Sequence, residues 1–471
     1  MTIDINLLRE EKGGCPAHVA ESERRRGRDP ARVERLIAAD KKWREATFSL
    51  EQGRKDLNAV NKEIGQRKKS DPKASCEDLV SKTTGIKARL QTLEAEAAEA
   101  ATTRDTLLKS IGNIVHGSVP VSNDETNNKV VRTWGTPNKV KIDGTPGKMH
   151  HHEVLQRLHG VDFKKGVEVA GHRGYYLKGP GVMLNYALIQ YGLNFLMKKG
   201  YQPVQPPFFM RKSVMGAAAE LRDFEETLYK IPHEAGHQQQ QKTKQQQQDA
   251  ERDDMFLIAT SEQPLCALHM HERVEEKQLP IRYTGTSTCF RKEAGAHGKD
   301  CWGIFRIHQF EKIEQFCITA PEKSWDMHEE MISTAEEFYQ SLELPYRVVS
   351  IVTGALNDAA AKKYDLEAWF PGYEDYRELV SCSNCTDFQA RDLDIRLGHK
   401  KETATAADSK PFVHLLNATL VATQRCMCCI LENYQTPTGV KVPRALVPYM
   451  GGQEFLHYPT DDEDKREAGN A

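Results

Sequence analysis

The stretch Ile281–Ile318, IRYTGTSTCFRKEAGAHGKDCWGIFRIHQFEKIEQFCI, decides how the chain folds. Its first run alternates and is rich in Thr, Tyr and Ile. A polar, Gly-containing segment then leads into a second apolar run, which reads as two strands joined by a loop. Residues two apart on a strand share a face, so Arg291 and Glu293 are expected to point the same way, as are Phe310 and Glu314 on the return strand. A guanidinium is a rigid fork for phosphate oxygens. A carboxylate accepts from an exocyclic amine or holds an ammonium, and an aromatic ring offers a base a stacking surface. Together these groups suit a nucleotide triphosphate held against an amino acid. An arbitrary Arg-x-Glu, however, is more often a surface ion pair worth little.

On either side the chain supplies further polar groups in strand-like settings. Leu257–Pro264 (LIATSEQP) places Thr260 and Glu262 two apart, where they could share a strand face. Glu378-Leu379-Val380-Ser381 lies in an apolar run before Cys382-Ser-Asn-Cys385. Leu415–Arg425 (LLNATLVATQR) reads as a strand entering a helix, with Asn417 and Thr419 on one face. Met183–Lys199 is an amphipathic helix ended by Gly200 and followed by the Pro-rich segment around Pro207. No G-x-x-x-x-G-K-[ST] loop occurs; Gly295–Asp300 and Gly144–Met149 only mimic its end. The three histidines His150–His152 have poor ligand spacing, and so have Cys426, Cys428 and Cys429 beside the Cys382/Cys385 pair, so no zinc is expected.

Residues 30–111 carry heptads. Leu36, Trp43, Leu50, Leu57 and Ile64 form one line, with Val33, Asp40, Thr47, Arg54 and Asn61 at the other seam position. After Ser70-Asp71-Pro72 a second series runs Leu79, Ile86, Leu93, Ala100 and Leu107, with companions from Cys76 to Ile111. Two heptad runs joined by a turn predict an antiparallel coiled-coil hairpin. Arg67, Lys68, Lys69 and Lys73 make its tip basic, and lysines line both helices, as phosphate contact would require. Dimerisation is the commoner use of a generic coiled coil, and a charge run is usually a solvated face.

The 471 residues suffice for two to four domains, and a formal net charge of −2 argues against blanket affinity for nucleic acid. The N-terminus has no apolar signal region and no run of 18 apolar residues occurs, so a cytoplasmic chain with free thiols and no membrane span is expected. Residues 112–135 lose periodicity and read as a linker. The low-complexity stretch 233–254, HEAGHQQQQKTKQQQQDAERDD, has no apolar face to bury and reads as a disordered insertion.

FRKEAGAHG followed by GIFRIHQFEKIEQF resembles motif 2 of the class II aminoacyl-tRNA synthetases in its seryl form, of the eukaryotic cytosolic type. The likeness runs from Met1 to about Tyr458. The helix and prolines around Pro207 resemble motif 1, which builds the dimer interface in that family. Leu415–Gln435 resembles motif 3, with Arg425 as its arginine. The resemblance implies an α+β fold: an N-terminal antiparallel coiled-coil hairpin, then a class II core built on an antiparallel β-sheet flanked by helices. The expected division is 1–115 for tRNA binding, 116–135 as linker, 136–460 as catalytic domain and 461–471 as charged tail. The family usually has a shorter turn in place of 233–254, and some relatives carry a lysine-rich C-terminal extension that this chain lacks.

By the same resemblance the reaction is ATP-dependent attachment of serine to serine tRNA through a seryl adenylate. Thr260, Ser261, Glu262, Glu314, Asn417 and Thr419 are implied for serine. Arg291, Lys292, Glu293, Ile307, His308, Gln309, Phe310, Glu378, Leu379, Val380, Ser381 and Arg425 are implied for ATP, with magnesium on Glu378 and Ser381. Arg67, Lys68, Lys69 and Lys73 would meet the long variable arm of the tRNA, and the chain would be a homodimer. Two rivals are a ligase that loads a carrier protein, which would be expected to lack the long arm, and a catalytically dead RNA-binding paralogue, which would tolerate loss of Arg291, Glu293 or Arg425.

Overall fold

Three helices build the N-terminal unit: α1 (Pro16–Arg25), α2 (Ala31–Ser70) and α3 (Glu77–Lys109). The computed structural model describes residues 1–219, 226–232, 254–293, 298, 301–398 and 411–459. These form two units, 2–114 and 115–471, the second including Met1. The glutamine-rich stretch (apart from Asp254) and the charged tail lie outside the described residues. Helices α2 and α3 are the predicted antiparallel hairpin, and 40 residues at 1.5 Å each make α2 about 60 Å long. At its end Asp71 turns extended (φ −143°), and Pro72 cannot prolong the helix.

The seam on α3 is the predicted one, with Cys76, Leu79, Leu90, Ala97 and Ala100 buried. On α2 it needs a correction. Val33, Leu36 and Asp40 are buried, but further along the second line passes through Gly53 and Val60, while Arg54 and Asn61 are exposed. A helix of 3.6 residues per turn drifts by about 20° per heptad against a 3.5 repeat, so the contact line slips by one position. Gly53 fits because a Cβ there would lie 2.9 Å from Leu90 Cδ2. Polar groups in the seam are partnered: Arg9 donates to both oxygens of Asp40 at 2.9 and 2.7 Å, and the Arg104 guanidinium lies 3.8 Å over the Trp43 ring. Arg67 also departs from the reading of a free basic tip. It pairs with Asp78 at 3.0 Å and Glu63 at 3.3 Å, tying the ends of the two helices together.

The second unit is organised by an eight-stranded sheet: β1 (Lys129–Trp134), β2 (Gln202–Val204), β3 (Ile281–Phe290), β4 (Gln309–Thr319), β5 (Tyr346–Ser350), β6 (Lys362–Phe370), β7 (Asp375–Asn384) and β8 (His414–Ala422). Its order is β1-β5-β6-β7-β8-β4-β3-β2. Neighbours are antiparallel except β2, which runs parallel to β3. Strand β1 lies inside the stretch read as linker. It is an edge strand with Val130 and Val131 both exposed and a register shift before Arg132, so it lacks the alternation that would mark it in the sequence.

The pleat of β4 separates the helical layer from the site. Ile313 lies by Gly192 of helix α5 (Gly179–Lys198), and Gln315 donates to the Met331 carbonyl of helix α7 (Ser324–Ser341) at 3.1 Å. The intervening Phe310, Lys312 and Glu314 therefore look to the other side of the sheet. The three histidines pack ring against ring, His152 lying 5.7 Å from His150 and 5.5 Å from His151 between centroids. His151, on helix α4 (His151–Arg157), is buried, with Nδ1 2.9 Å from Glu432 Oε1 on helix α8 (Thr423–Tyr434). Burial opposes the imidazolium there, but Cys428 and Glu432 outweigh it and hold the pKa well above the ordinary value. All eleven cysteines are free thiols. Among the described residues no helix is long and apolar enough to cross a membrane.

Candidate active site

Pairing across the centre of the sheet fixes which side chains meet. On β4, Lys312, Glu314 and Phe316 stand opposite Ala422, Thr419 and Asn417 of β8. The interval from Ala422 to Thr419 is odd. It is accommodated by a bulge at Leu420, where the register shifts between Ile313 and Glu314. Such an extra residue re-aims the side chains beyond it. Asn417 and Thr419 are thereby placed on the face of Glu314. Asn417 Nδ2 donates to Cys385 Sγ at 3.6 Å.

A second bulge does the same on β7. Asp365 and Glu367 of β6 face Ser381 and Glu378, with Leu379 as the extra residue. Glu378 and Ser381 are three apart and would fall on opposite faces of a regular strand, yet here they share one. Arg425 at the start of α8 reaches Glu378: its Nη1 is 3.6 Å from Glu378 Oε2, and its Nε donates to the Phe305 carbonyl at 3.3 Å. Burial pushes the Glu378 carboxyl up, but Arg425, then Lys363, Arg291 and Lys312, outweigh it and hold it below the ordinary range. Asp365 goes the other way. Burial, helped by Glu378 and Glu367 and opposed by Lys363, raises it to about 7.

Two strand-based expectations fail. The β3–β4 ladder ends at Phe290 opposite Gln309, so Arg291–Glu293 leave the sheet, and Glu293 has φ +50°. The Arg291 amide still donates to the His308 carbonyl at 2.9 Å, but the side chains of Arg291 and Glu293 are held by different neighbours. The Arg291 guanidinium lies 5.2 Å from the Phe310 ring and Nε donates to the Ala259 carbonyl at 3.4 Å. Glu293 pairs with Arg306 Nε at 3.2 Å. Thr260 and Glu262 also share no strand. Ser261 precedes and Glu262 opens the short helix α6 (Glu262–Ala267), whose first turn tolerates Pro264. Thr260 Oγ1 accepts from the Glu262 amide at 3.3 Å and donates to Glu314 at 3.5 Å. This helix start rests on Gly285 of β3. A Cβ there would sit 2.5 Å from Ser261 Oγ and 2.8 Å from Leu265 Cδ1, so only glycine lets α6 approach.

These elements enclose a cleft of about 510 Å³ whose wall includes Arg291, Glu293, Ile307, Phe310, Glu378 and Arg425, with Leu379 and Thr419. A second hollow of about 850 Å³ is walled by Thr260, Glu262 and Gln263, and Arg291 borders both. Other sequence candidates sit behind these walls. His308 binds the Arg291 carbonyl and the Tyr229 hydroxyl, each at 3.0 Å. The Lys292 amide donates to the Thr227 carbonyl at 2.9 Å, the Gln309 carbonyl accepts from Tyr175, and Val380 is core. Ser261 and Glu314 are buried, at 0% and 2% exposure. Pro207 is exposed between β2 and Phe209. Lys312 and Arg306 line the cleft too, though the sequence reading gave them no role. Both lie inside the quoted motif string, and a cation between Phe310 and Glu314 was the available signal.

The class II core domain family of tRNA synthetases (G, H, P, S and T) matches residues 242–434, and the seryl-tRNA synthetase N-terminal domain matches residues 2–115. A "Serine--tRNA ligase" of Helianthus annuus is 54% identical over 97% of this chain and 98% of its own length. A "Serine--tRNA ligase, cytoplasmic" of Schizosaccharomyces pombe is 52% identical over 97% of the chain and 96% of its own length. Among solved structures, the cytoplasmic serine-tRNA ligase from Naegleria fowleri in complex with AMP is 46% identical, with a TM-score of 0.82 over 98% of this chain and 100% of that one. The seryl-tRNA synthetase from Pyrococcus horikoshii complexed with ATP is 37% identical, with a TM-score of 0.83 over 97% and 100%.

Proposed function

The chain belongs to the seryl-tRNA synthetase family and attaches serine to tRNA, and on that premise we propose how its own residues divide the work. The observation that carries the proposal is the position of Arg291, which borders both the cleft and the hollow beside it. A nucleotide in the cleft and an amino acid in the hollow would meet at this guanidinium, where the carboxylate attacks the α-phosphate. Phe310 stacks on adenine and Glu293 accepts from its amine, with Lys292, His308 and Gln309 fixing the loop and Ile307, Leu379 and Val380 packing the wall. Arg425 holds the far phosphate. Glu314, Thr260 and Glu262 receive the serine ammonium and carboxylate region over Ser261, and Asn417 and Thr419 face the hydroxyl. A pocket whose buried polar groups require a hydroxyl rejects the analogue lacking it by about 10⁴-fold. No residue forms a covalent bond to substrate; placement and charge carry the rate.

Magnesium fits the β6–β7 face. Glu378 and Ser381 offer oxygen donors on one side of the strand, Asp365 Oδ1 beside them accepts no hydrogen bond among the described residues, and oxygen is what this ion prefers. Among the described residues no three His, Cys, Asp or Glu side chains converge to hold an ion, so triphosphate oxygens would complete its shell. When bound, the ion would neutralise phosphate charge. The ATP–pyrophosphate exchange assay tests the assignment: of the twenty amino acids, serine alone is expected to drive exchange, and equal exchange with alanine would remove Asn417 and Thr419 from selection.

The hairpin would grip the long variable arm of serine tRNA with Lys68, Lys69 and Lys73, Arg67 serving first as a brace. A cytoplasmic location is supported by relatives named "Serine--tRNA ligase, cytoplasmic". A homodimer through the Pro207 region is supported by exposed Met183 and Tyr186 on α5 and exposed Phe209. Sedimentation at micromolar concentration is expected to give one species near twice the chain mass of 53.3 kDa. A fully active monomer would contradict this.

A further inference from the structure

Lys312 has no role in the scheme above, yet its position is unusual. It lines the nucleotide cleft but is only 8% exposed, and its ammonium pairs with Glu314 two residues along the same face of β4. Glu314 is 2% exposed and also accepts from Thr260, at 3.5 Å. Lys312 and a serine ammonium are thus rivals for one buried carboxylate. A buried charge is tolerated only when paired. Serine brings both signs at once: its ammonium can take Glu314 while its carboxylate takes the displaced lysine, and no charge is stranded. Lysine suits such an exchange because its charge rides on a flexible four-carbon stem, whereas the fork of arginine is rigid.

We propose that Lys312 is a catalytic residue that hands Glu314 over to the serine ammonium and in return binds the serine carboxylate, delivering it beside Arg291 to the α-phosphate. The inference rests on the reading of Glu314 as the ammonium site. In the step that follows, a carboxylate oxygen bonds to the α-phosphorus as the bond from that phosphorus to pyrophosphate breaks. Pyrophosphate leaves with the electron pair. Lys312 stays an ammonium throughout, so no proton moves, and its charge balances the oxygens of the adenylate as they form.

Serinamide separates this role from a structural one, since it keeps the ammonium and hydroxyl but has no carboxylate. Lys312→Met is expected to lower kcat/KM for serine in ATP–pyrophosphate exchange by about 10²- to 10³-fold. Serinamide affinity, read by calorimetry, should be unchanged or tighter because the rival for Glu314 is gone. Lys312→Gln, which keeps a donor to Glu314 without the charge, guards against misfolding of the first variant and should behave alike. Exchange at the parent rate in either folded variant overturns the proposal. So does an equal loss of serine exchange and serinamide binding, which would mean that Lys312 only shapes the pocket. Glu314→Gln reports on the underlying reading. If that variant binds serinamide as the parent does, the ammonium assignment fails and this inference with it. If it loses serinamide while the Lys312 variants exchange normally, the lysine assignment alone fails.

Discussion

Replacing Phe48–Glu99 by a short Gly-Ser turn is expected to leave serine-dependent ATP–pyrophosphate exchange intact and to lower tRNA charging by about 10³-fold or more, the loss that follows when many phosphate contacts disappear. The cut is set by the pairing of the helices. Arg104 covers Trp43 and Arg54 meets Glu94 at 3.0 Å, so Thr47 ends opposite the residue after Glu99 and the base of the hairpin is kept. Among the described residues, those that wall the cleft and hollow come from the second unit, so activation has no chemical need of the arm. Exposed Lys68, Lys69 and Lys73 changed to glutamate should act the same way more mildly, flattening the salt dependence of tRNA binding by a slope of about 0.7–0.9 per lost contact. Arg67 belongs in a separate variant, because its loss also unties Asp78 from Glu63. Exchange and charging measured on one preparation decide the matter: an armless protein that charges at the full rate removes the hairpin as the tRNA grip.

Glu314→Ala should abolish serine activation, by about 10²- to 10³-fold in kcat/KM. It should also leave the Lys312 ammonium buried without its carboxylate, and breaking such a pair costs about 3–5 kcal/mol. Two losses are therefore expected from one substitution, and they are separable. Glu314→Gln keeps the volume and an acceptor, so its melting temperature should recover much of the deficit while serine activation stays low. ATP binding measured without serine should survive in both, since the residues proposed for adenine and phosphate are others. A folded Glu314→Ala protein with near-normal exchange would take Glu314 out of the site.

The parts of the fold that repeat were legible. Heptads gave the hairpin and most of its seam, and β-rich alternation gave β3 and β4. What stayed hidden depends on pairing partners that a single chain segment does not display. The slip from Arg54 and Asn61 to Gly53 and Val60 arises from helical drift over several turns. Strand β1 reads as linker because an edge strand with two exposed valines has no buried face to alternate against. Glu293 reads as a strand-face residue because nothing local says that the ladder stops at Phe290, and Thr260 and Glu262 do because a T-x-E pair fits a strand as well as a helix start. The residues that wall the cleft, among them Arg291, Glu293, Phe310, Glu378 and Arg425, lie in the motif strings, which carry chemistry by type and order. Lys312 was overlooked because its significance lies in burial beside Glu314, a tertiary fact.

The bulge at Leu379 means that the placement of Glu378 and Ser381 is written as a distance along the chain. Leu379 could become another apolar residue with little consequence, so a substitution scan would rate the position as permissive. Were position 379 instead drawn into the ladder, Glu378 and Ser381, three apart, would turn to opposite sides of the sheet with every oxygen donor still present. In this segment the information resides in which residue stays out of the ladder, a property of the pairing that the identity of position 379 does not record.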